Sequence, residues 1–317
     1  MATYKEIHGV EVQYRASDAT AIEGDVWYNS TFGKLKMYAA AGAWAAGGNV
    51  NTHHDRGAGG GTQTAAIVFA GGSAGVTETY DGSSWTEVAD LKTGRSQLAA
   101  AGQAPQTTAL GFGGSPPSAG VAIAELWNGT SWTEVADLNT ARKNLAGFGI
   151  STAAVAAAGQ VPGGTINKAE VEEYNGTSWT EVTDIPTAVR EPQGSGILTS
   201  GVVFGGYVTA VVATTAEYDG TDWASGGNLN TARTALGGTG ATSTATLAYA
   251  GEGTADLAVT EEYNGSAWTE VADMSTARNS VDDAGTQNLA LAVSGTPNYV
   301  GTEEWSAVAD IQTVAFD

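Results

Sequence analysis

Residues 124–142 read A-E-L-W-N-G-T-S-W-T-E-V-A-D-L-N-T-A-R, and this stretch decides the fold. A short strand ends on Trp127. Asn128-Gly129 supplies the positive φ angles that a tight hairpin needs. Trp132 opens the return strand, and the phrase D-L-N-T-A-R then leads away from it. The phrase returns along the chain, as D-L-K-T-G-R at Asp90–Arg95, N-L-N-T-A-R at Asn228–Arg233 and D-M-S-T-A-R at Asp273–Arg278. Six of the seven arginines, Arg56, Arg95, Arg142, Arg190, Arg233 and Arg278, follow one another at spacings of 39, 47, 48, 43 and 45 residues. A period in the forties marks a repeat architecture. A residue repeated six times is scaffold before it is active site, so these arginines are read as part of the repeat.

Each unit has the same order. A small-residue strand follows the arginine, as at 98–102 and 145–150. An apolar strand closing on small residues comes next, as at Ala65–Gly72 and Ala245–Gly251. A variable loop leads to a third strand ending on an aromatic: Tyr80, Trp127, Tyr174, Tyr218, Tyr263 or Trp305. In five units Asp-Gly or Asn-Gly then turns the chain into a tryptophan: Trp85, Trp132, Trp179, Trp223 and Trp268. No 3.6-residue apolar period is sustained, so almost no helix is expected. Glycine and alanine fill the first two strands because inner strands of a radial array converge on an axis. Tryptophan and tyrosine fill the wider space outside.

The pattern of glycine pair, Glu-x-Tyr, tryptophan and Thr-x-Arg linker resembles the Kelch repeat. Gly71-Gly72, Glu78-Thr79-Tyr80, Trp85 and Thr93-Gly94-Arg95 carry it, as do Gly113-Gly114, Glu125, Trp132 and Thr140-Ala141-Arg142. The resemblance spans residues 24–310 and implies an all-β propeller with one four-stranded sheet per repeat. Six units run from Arg56 onward. Before them, Val26-Trp27-Tyr28, Leu35–Tyr38 and Trp44 read as strands two to four of a further blade. Trp44-Ala45-Ala46-Gly47-Gly48-Asn49 parallels Trp223-Ala224-Ser225-Gly226-Gly227-Asn228. We therefore read seven blades, closed by pairing both chain ends in one sheet. Six blades with an outlying hairpin is the alternative. The division is a short arm at residues 1–22 and a propeller at 23–317.

The net charge is −21, from 13 Lys+Arg and 34 Asp+Glu. Such a surface repels nucleic-acid phosphate and anionic membrane, so neither is an expected partner. It suits a salty medium that screens repulsion. The absence of cysteine excludes disulfides, thiolate metal sites and a cysteine nucleophile. Met1 to Glu6 shows no apolar signal core, so release by lysis or assembly into a particle is the expected route outside a cell.

Met1 to Ser30, followed by such repeats, resembles structural proteins of tailed phages of marine bacteria. Gly24 to Thr31 is similar to a short motif of phage tail and fibre proteins. That resemblance implies a non-enzymatic virion protein, present in multiple copies. Its arm would meet other virion proteins, and its propeller would serve host-surface glycan recognition or virion decoration. Virion and, after release, extracellular space are the implied locations. A secreted bacterial lectin or adhesin, and a glycan-cleaving propeller enzyme, are the alternatives. Copper radical oxidases with Kelch-like propellers need a cysteine, and Asp81-Gly82-Ser83-Ser84-Trp85 lacks the residue between Asp and Gly that a sialidase Asp box requires.

Glu78, Glu125, Glu172, Glu261 and Glu303 each stand two residues before the strand-three aromatic and are available to pair with the arginines. Asp90, Asp137, Asp184, Asp273 and Asp310 are read as turn-capping residues, since a calcium site needs six to eight converging oxygens. His53-His54-Asp55 reads as a solvated loop, and no metal or cofactor is expected. Asn29, Asn128, Asn175 and Asn264 head Asn-x-Ser/Thr triplets, three of which are simply the hairpin turn. The least repetitive segments are the loops between strands two and three, and a rigid scaffold presenting variable loops is a binding geometry. Gln160, Asn167, Lys168, Tyr207 and Tyr299 are the candidate ligand-binding residues.

Overall fold

The computed structural model describes residues 13–15, 26–31, 33–72, 75–116, 120–163 and 166–313. The arm at residues 1–22 lies outside them except for Gln13–Arg15. Every regular element among the described residues is a strand. The chain divides into a compact unit of Trp44–Trp305 and a smaller one of Met1–Ala43 with Ser306–Asp317.

The larger unit is a β-propeller. Five blades are four-stranded sheets whose strands pair in sequence order. Blade 1 is built from Ala58–Thr62, Ala65–Phe69, Thr77–Tyr80 and Trp85–Glu87, and blade 2 begins at Ala99–Ala100. Blade 3 begins at Ala146–Ile150, blade 4 at Gln193–Ile197 and blade 5 at Gly237–Thr242. In blade 3, residues 146–150 pair antiparallel with 157–153, and Tyr174 sits directly opposite Trp179 across the hairpin. The turns behave as their residues dictate. Asn175 Oδ1 accepts the N–H groups of Thr177 and Ser178, each at 2.9 Å, and Gly176 has φ +90°.

Among the described residues the propeller has six blades, the alternative count, rather than seven. The sixth sheet runs Asp282–Gly285, Leu289–Val293, Thr302–Thr313, Lys34–Ala46, Val26–Asn29, Gln13–Arg15. Lys34–Ala46 is one long strand rather than two, because Tyr38 to Trp44 contains no Asn-Gly or Asp-Gly to turn it. Trp305 lacks that turn for the complementary reason: its strand-four partner comes from the other end of the sequence. The ring thus closes by pairing both chain ends, with Gly47 N–H donating to the Thr302 carbonyl at 2.9 Å. In the smaller unit, Val26–Asn29 pairs antiparallel with Lys34–Met37, and Gln13–Arg15 runs parallel to Trp27–Asn29.

Blade-to-blade packing explains the aromatic repeat. The strand-three aromatic meets its own blade's tryptophan, with ring centroids 4.8 Å apart at Tyr80–Trp85, 4.7 Å at Tyr218–Trp223 and 5.6 Å at Trp305–Trp44. Each tryptophan also meets the preceding blade. Phe69 packs on Trp132 at 4.7 Å, Phe112 on Trp179 at 4.9 Å and Tyr249 on Trp44 at 5.0 Å. The indole N–H then staples the seam: Trp132 donates to Thr77 Oγ1 at 3.0 Å and Trp85 to Thr302 Oγ1 at 3.2 Å.

Candidate functional site

A buried residue opens each linker between blades: Val50, Leu91, Leu138, Ile185, Leu229 and Met274. Four positions on, the backbone places a side chain in one recurring slot. Arg95, Arg142, Arg233 and Arg278 fill it, all fully buried. Arg142 NH2 meets Glu172 Oε1 at 2.9 Å, Arg233 meets Glu261 at 3.1 Å, and Arg278 meets Glu303 at 2.6 Å; Arg95 pairs with Glu125 likewise. Each glutamate also accepts linker N–H groups, as Glu172 does from Asn139 at 2.6 Å and Thr140 at 3.3 Å. Burial pulls the guanidinium pKa values down, to about 10 for Arg233, against the upward pull of the paired carboxylate. These groups lock the linker and are closed to ligands.

Two blades depart from the pattern. In blade 1 the slot holds His54, not Arg56. His54 is buried between Ala70 O, 2.8 Å from Nδ1, and Glu78 Oε1, 3.4 Å from Nε2. The His53-His54-Asp55 segment is therefore only partly a solvated loop, because the slot count, not local polarity, decides that His54 goes inward. Desolvation lowers its pKa, but the hydrogen bond to Glu78 and the Asp282 carboxyl outweigh that and raise it. In blade 4 the slot holds Val189, not Arg190. The glutamate opposite it becomes Ala216, and the linker N–H donor becomes Pro186. A buried ion pair has been exchanged for an apolar contact, and the arginine stands one residue outside it, half-buried.

Two residues past the slot, Arg56, Gln97, Asn144, Glu191, Ala235 and Ser280 all take positive φ, between 49° and 59°. Five successive backbone hydrogen bonds link them from blade to blade. Gln97 N–H donates to Arg56 O at 2.7 Å, Asn144 to Gln97 at 2.9 Å, Glu191 to Asn144 at 2.8 Å, Ala235 to Glu191 at 3.3 Å, and Ser280 to Ala235 at 2.8 Å. This rim and the strand-two-to-three loops share one face of the propeller.

On that face the structure brings three of the candidate ligand residues, Gln160, Asn167 and Tyr207, into contact, sets Lys168 beside them in the chain and leaves Tyr299 apart. Gln160 bridges to Lys143 on one side and Asn167 on the other, and its Oε1 accepts from Asn144 Nδ2 at 3.2 Å. Asn167 Nδ2 donates to the carbonyls of Tyr207 (2.9 Å) and Val208 (3.1 Å), crossing from blade 3 to blade 4. Arg190 lies 4.0 Å above the Tyr207 ring and donates to Asn167 Oδ1 at 3.4 Å. Lys168 pairs with Glu170 at 2.5 Å. Tyr299 belongs to the sixth blade, 46% exposed, with its ring 4.5 Å from His53.

The sequence reading missed the axial cavity, of about 70 Å³, lined by the first strands. Where other blades place Ala or Gly in register, the sixth places Asp282 and Asp283, and blade 4 places Gln193. Acids inside a small-residue strand were the available signal. Asp283 Oδ2 accepts from Gln193 Nε2 at 2.6 Å and Gly238 N at 3.3 Å. Asp282 has no well-formed hydrogen bond at either carboxyl oxygen, although the Gly57 N–H faces it, and His54 Nδ1 is 3.8 Å away. Burial pushes their pKa values up to about 7 and about 8 respectively. Among the described residues no three acids, histidines or cysteines are grouped to hold a metal. Asp90 and Asp273 accept strand-three N–H groups of Thr77 and Thr260, each at 3.3 Å.

A solved structure, that of YjhT, matches with a TM-score of 0.69 at 12% identity, covering 84% of this chain and 99% of that one. The likeness is one of fold. No protein-family model matches the chain. No curated protein matches it either.

Proposed function

We propose that the chain is a non-enzymatic, Kelch-like propeller of a tailed-phage particle, and that its linker face recognises a glycan of the host surface. The observation that carries the binding part is the blade 3–4 cluster. There Gln160, Asn167 and Tyr207, on loops that break the repeat, join with Arg190 into one polar and aromatic patch, with Lys168 next to Asn167 and paired to Glu170. The phage part rests on the resemblance of residues 1–30, and the arm would attach the propeller to other virion proteins. The non-enzymatic part is supported by the placement of the channel acids. Asp282 and Asp283 are neighbours on one strand, so their side chains leave opposite faces. A glycan-cleaving pair instead flanks a substrate gap.

The test is imaging of phage particles labelled with an antibody to this chain. Label at tail tips or fibres is the expected result. Label over the head means decoration rather than recognition, and absence of label removes the virion reading in favour of a lectin or adhesin. Release of reducing ends from host polysaccharide would refute the non-enzymatic reading.

A further inference from the structure

We propose that the blade 3–4 junction on the linker face binds the carboxylate or sulfate groups of an acidic polysaccharide, with Arg190 and Lys143 as the anion-binding side chains. This rests on the reading of that face as a glycan-recognition surface, and it names the ligand class.

The distribution of positive charge comes first. Residues 44–305 carry nine Lys and Arg: Arg56, Lys92, Arg95, Arg142, Lys143, Lys168, Arg190, Arg233 and Arg278. Four of these are sealed in buried glutamate pairs, which leaves five. Three of the five, Lys143, Lys168 and Arg190, stand in or beside one continuous set of contacts running Lys143–Gln160–Asn167–Arg190–Tyr207. Among the described residues Lys143 and Arg190 have no ion-pair partner, in a chain with 34 acids.

The placement of Arg190 adds to this. Pro186, Val189 and Ala216 together replace the slot's ion pair and one of the N–H groups that its glutamate accepts, so no arginine is needed there to balance a buried carboxylate. An arginine is nonetheless present one position outward, half-buried and held. The Tyr207 ring lies beneath its guanidinium at 4.0 Å, and Asn167 takes one N–H. A guanidinium has five N–H donors in a rigid fork that matches carboxylate and sulfate oxygens. Ordering it beforehand lowers the entropy lost on binding.

The net charge of −21 sets the salt dependence. Distant acids repel a polyanion, and that repulsion is screened beyond about 8 Å at 0.15 M salt. Contacts within hydrogen-bonding distance are screened far less. Binding therefore strengthens as salt rises from about 10 mM to about 150 mM, the reverse of the trend for a basic protein on nucleic acid.

The experiment is biolayer interferometry of the full chain on four immobilised probes: alginate, dextran sulfate, neutral dextran, and alginate whose carboxylates have been reduced to alcohols. Binding to alginate or dextran sulfate at least tenfold tighter than to the two neutral probes is expected. Which of the two binds separates carboxylate from sulfate. Arg190→Ala and Lys143→Ala are each expected to weaken binding about tenfold or more, since a charge-assisted bond contributes on the order of 1.5–3 kcal/mol. Arg190→Lys retains part of it, and Lys92→Ala leaves it unchanged. Equal binding to neutral and acidic probes overturns this inference while leaving glycan recognition standing. So does binding to acidic probes that Arg190→Ala and Lys143→Ala do not alter. Binding to none of the four overturns both.

Discussion

Arg142 offers a test of what the repeated arginine contributes, because blade 4 already shows the same slot without one. Arg142→Ala is expected to destabilise the propeller by about 3–5 kcal/mol, since it leaves Glu172 buried with its charge uncompensated. The informative variant copies blade 4 into blade 3: Asn139→Pro, Arg142→Val and Glu172→Ala, after Pro186, Val189 and Ala216. Exchange of a buried ion pair for apolar residues is often close to neutral. It is favoured here because Arg142 Nε has no hydrogen-bond partner even in the intact pair. Valine is smaller than arginine, and a residual cavity of roughly 50 Å³ costs about 1 kcal/mol. The triple variant is thus expected within about 2 kcal/mol of the parent. The double variant that keeps Asn139 falls between, because its N–H, now 2.6 Å from Glu172, loses its acceptor. That loss costs about 1–3 kcal/mol where water does not replace the acceptor. Urea unfolding followed by tryptophan fluorescence, at unchanged slope, ranks the three. If the triple variant were as unstable as Arg142→Ala, the pair would be a net attraction, and blade 4 would compensate elsewhere.

Three further outcomes are expected. Trp132→Ala removes a side chain packed between Phe69 and Trp127 and costs about 3–5 kcal/mol by urea unfolding; a cost near zero would refute the packing account. Trp44→Ala, at a half-buried residue bonded to Thr260 Oγ1 at 2.9 Å, costs on the order of 2 kcal/mol, and a full Trp132-sized loss would mean the closing strand carries more of the ring than its exposure implies. Stability falls as pH rises from about 4 to about 8. Asp282 binds its proton up to about pH 7 when folded and only to its ordinary 3.8 when unfolded, so the unfolded state loses the proton first. The cost above pH 7 is on the order of 4 kcal/mol. His54, with its raised pKa, acts in the same direction: its stabilisation is present below about 6.5 and is lost as pH passes its folded value. Asp282→Asn should therefore gain stability at pH 8 and little at pH 4.5. Parallel pH curves for parent and variant would sink this.

The sequence carried the propeller because its marks are local. Asp81-Gly82, Asn128-Gly129 and their counterparts fix hairpins, and the tryptophans follow at constant offset. Blade count was less legible, since Lys34–Ala46 has the strand residues of two elements and only the missing turn shows that it is one. The arginine register failed by one residue at Arg190 and by two at Arg56. An arginine is a misleading anchor there, because the structure is anchored on the buried Val50 and Ile185 four positions before the slot. Asp282 and Asp283 are not legible as interior residues, because residue type alone does not distinguish a buried acid from a surface one.

A repeat protein contains its own controls, and that gives its exceptions unusual weight. Arg95, Arg142, Arg233 and Arg278 occupy one environment with one partner type, so their shared chemistry belongs to the scaffold. Blade 4 alters the arginine, the glutamate and the N–H donor together, and each change is costly without the others. With all three replaced, the slot is apolar and the neighbouring Arg190 is not tied into it. Arg190 stands on Tyr207, beside the least repetitive loops. Physical selection for folding accounts for the four buried pairs. It does not call for an arginine one position outside a slot filled by Val189, and the proposed anion binding would give Arg190 a role there.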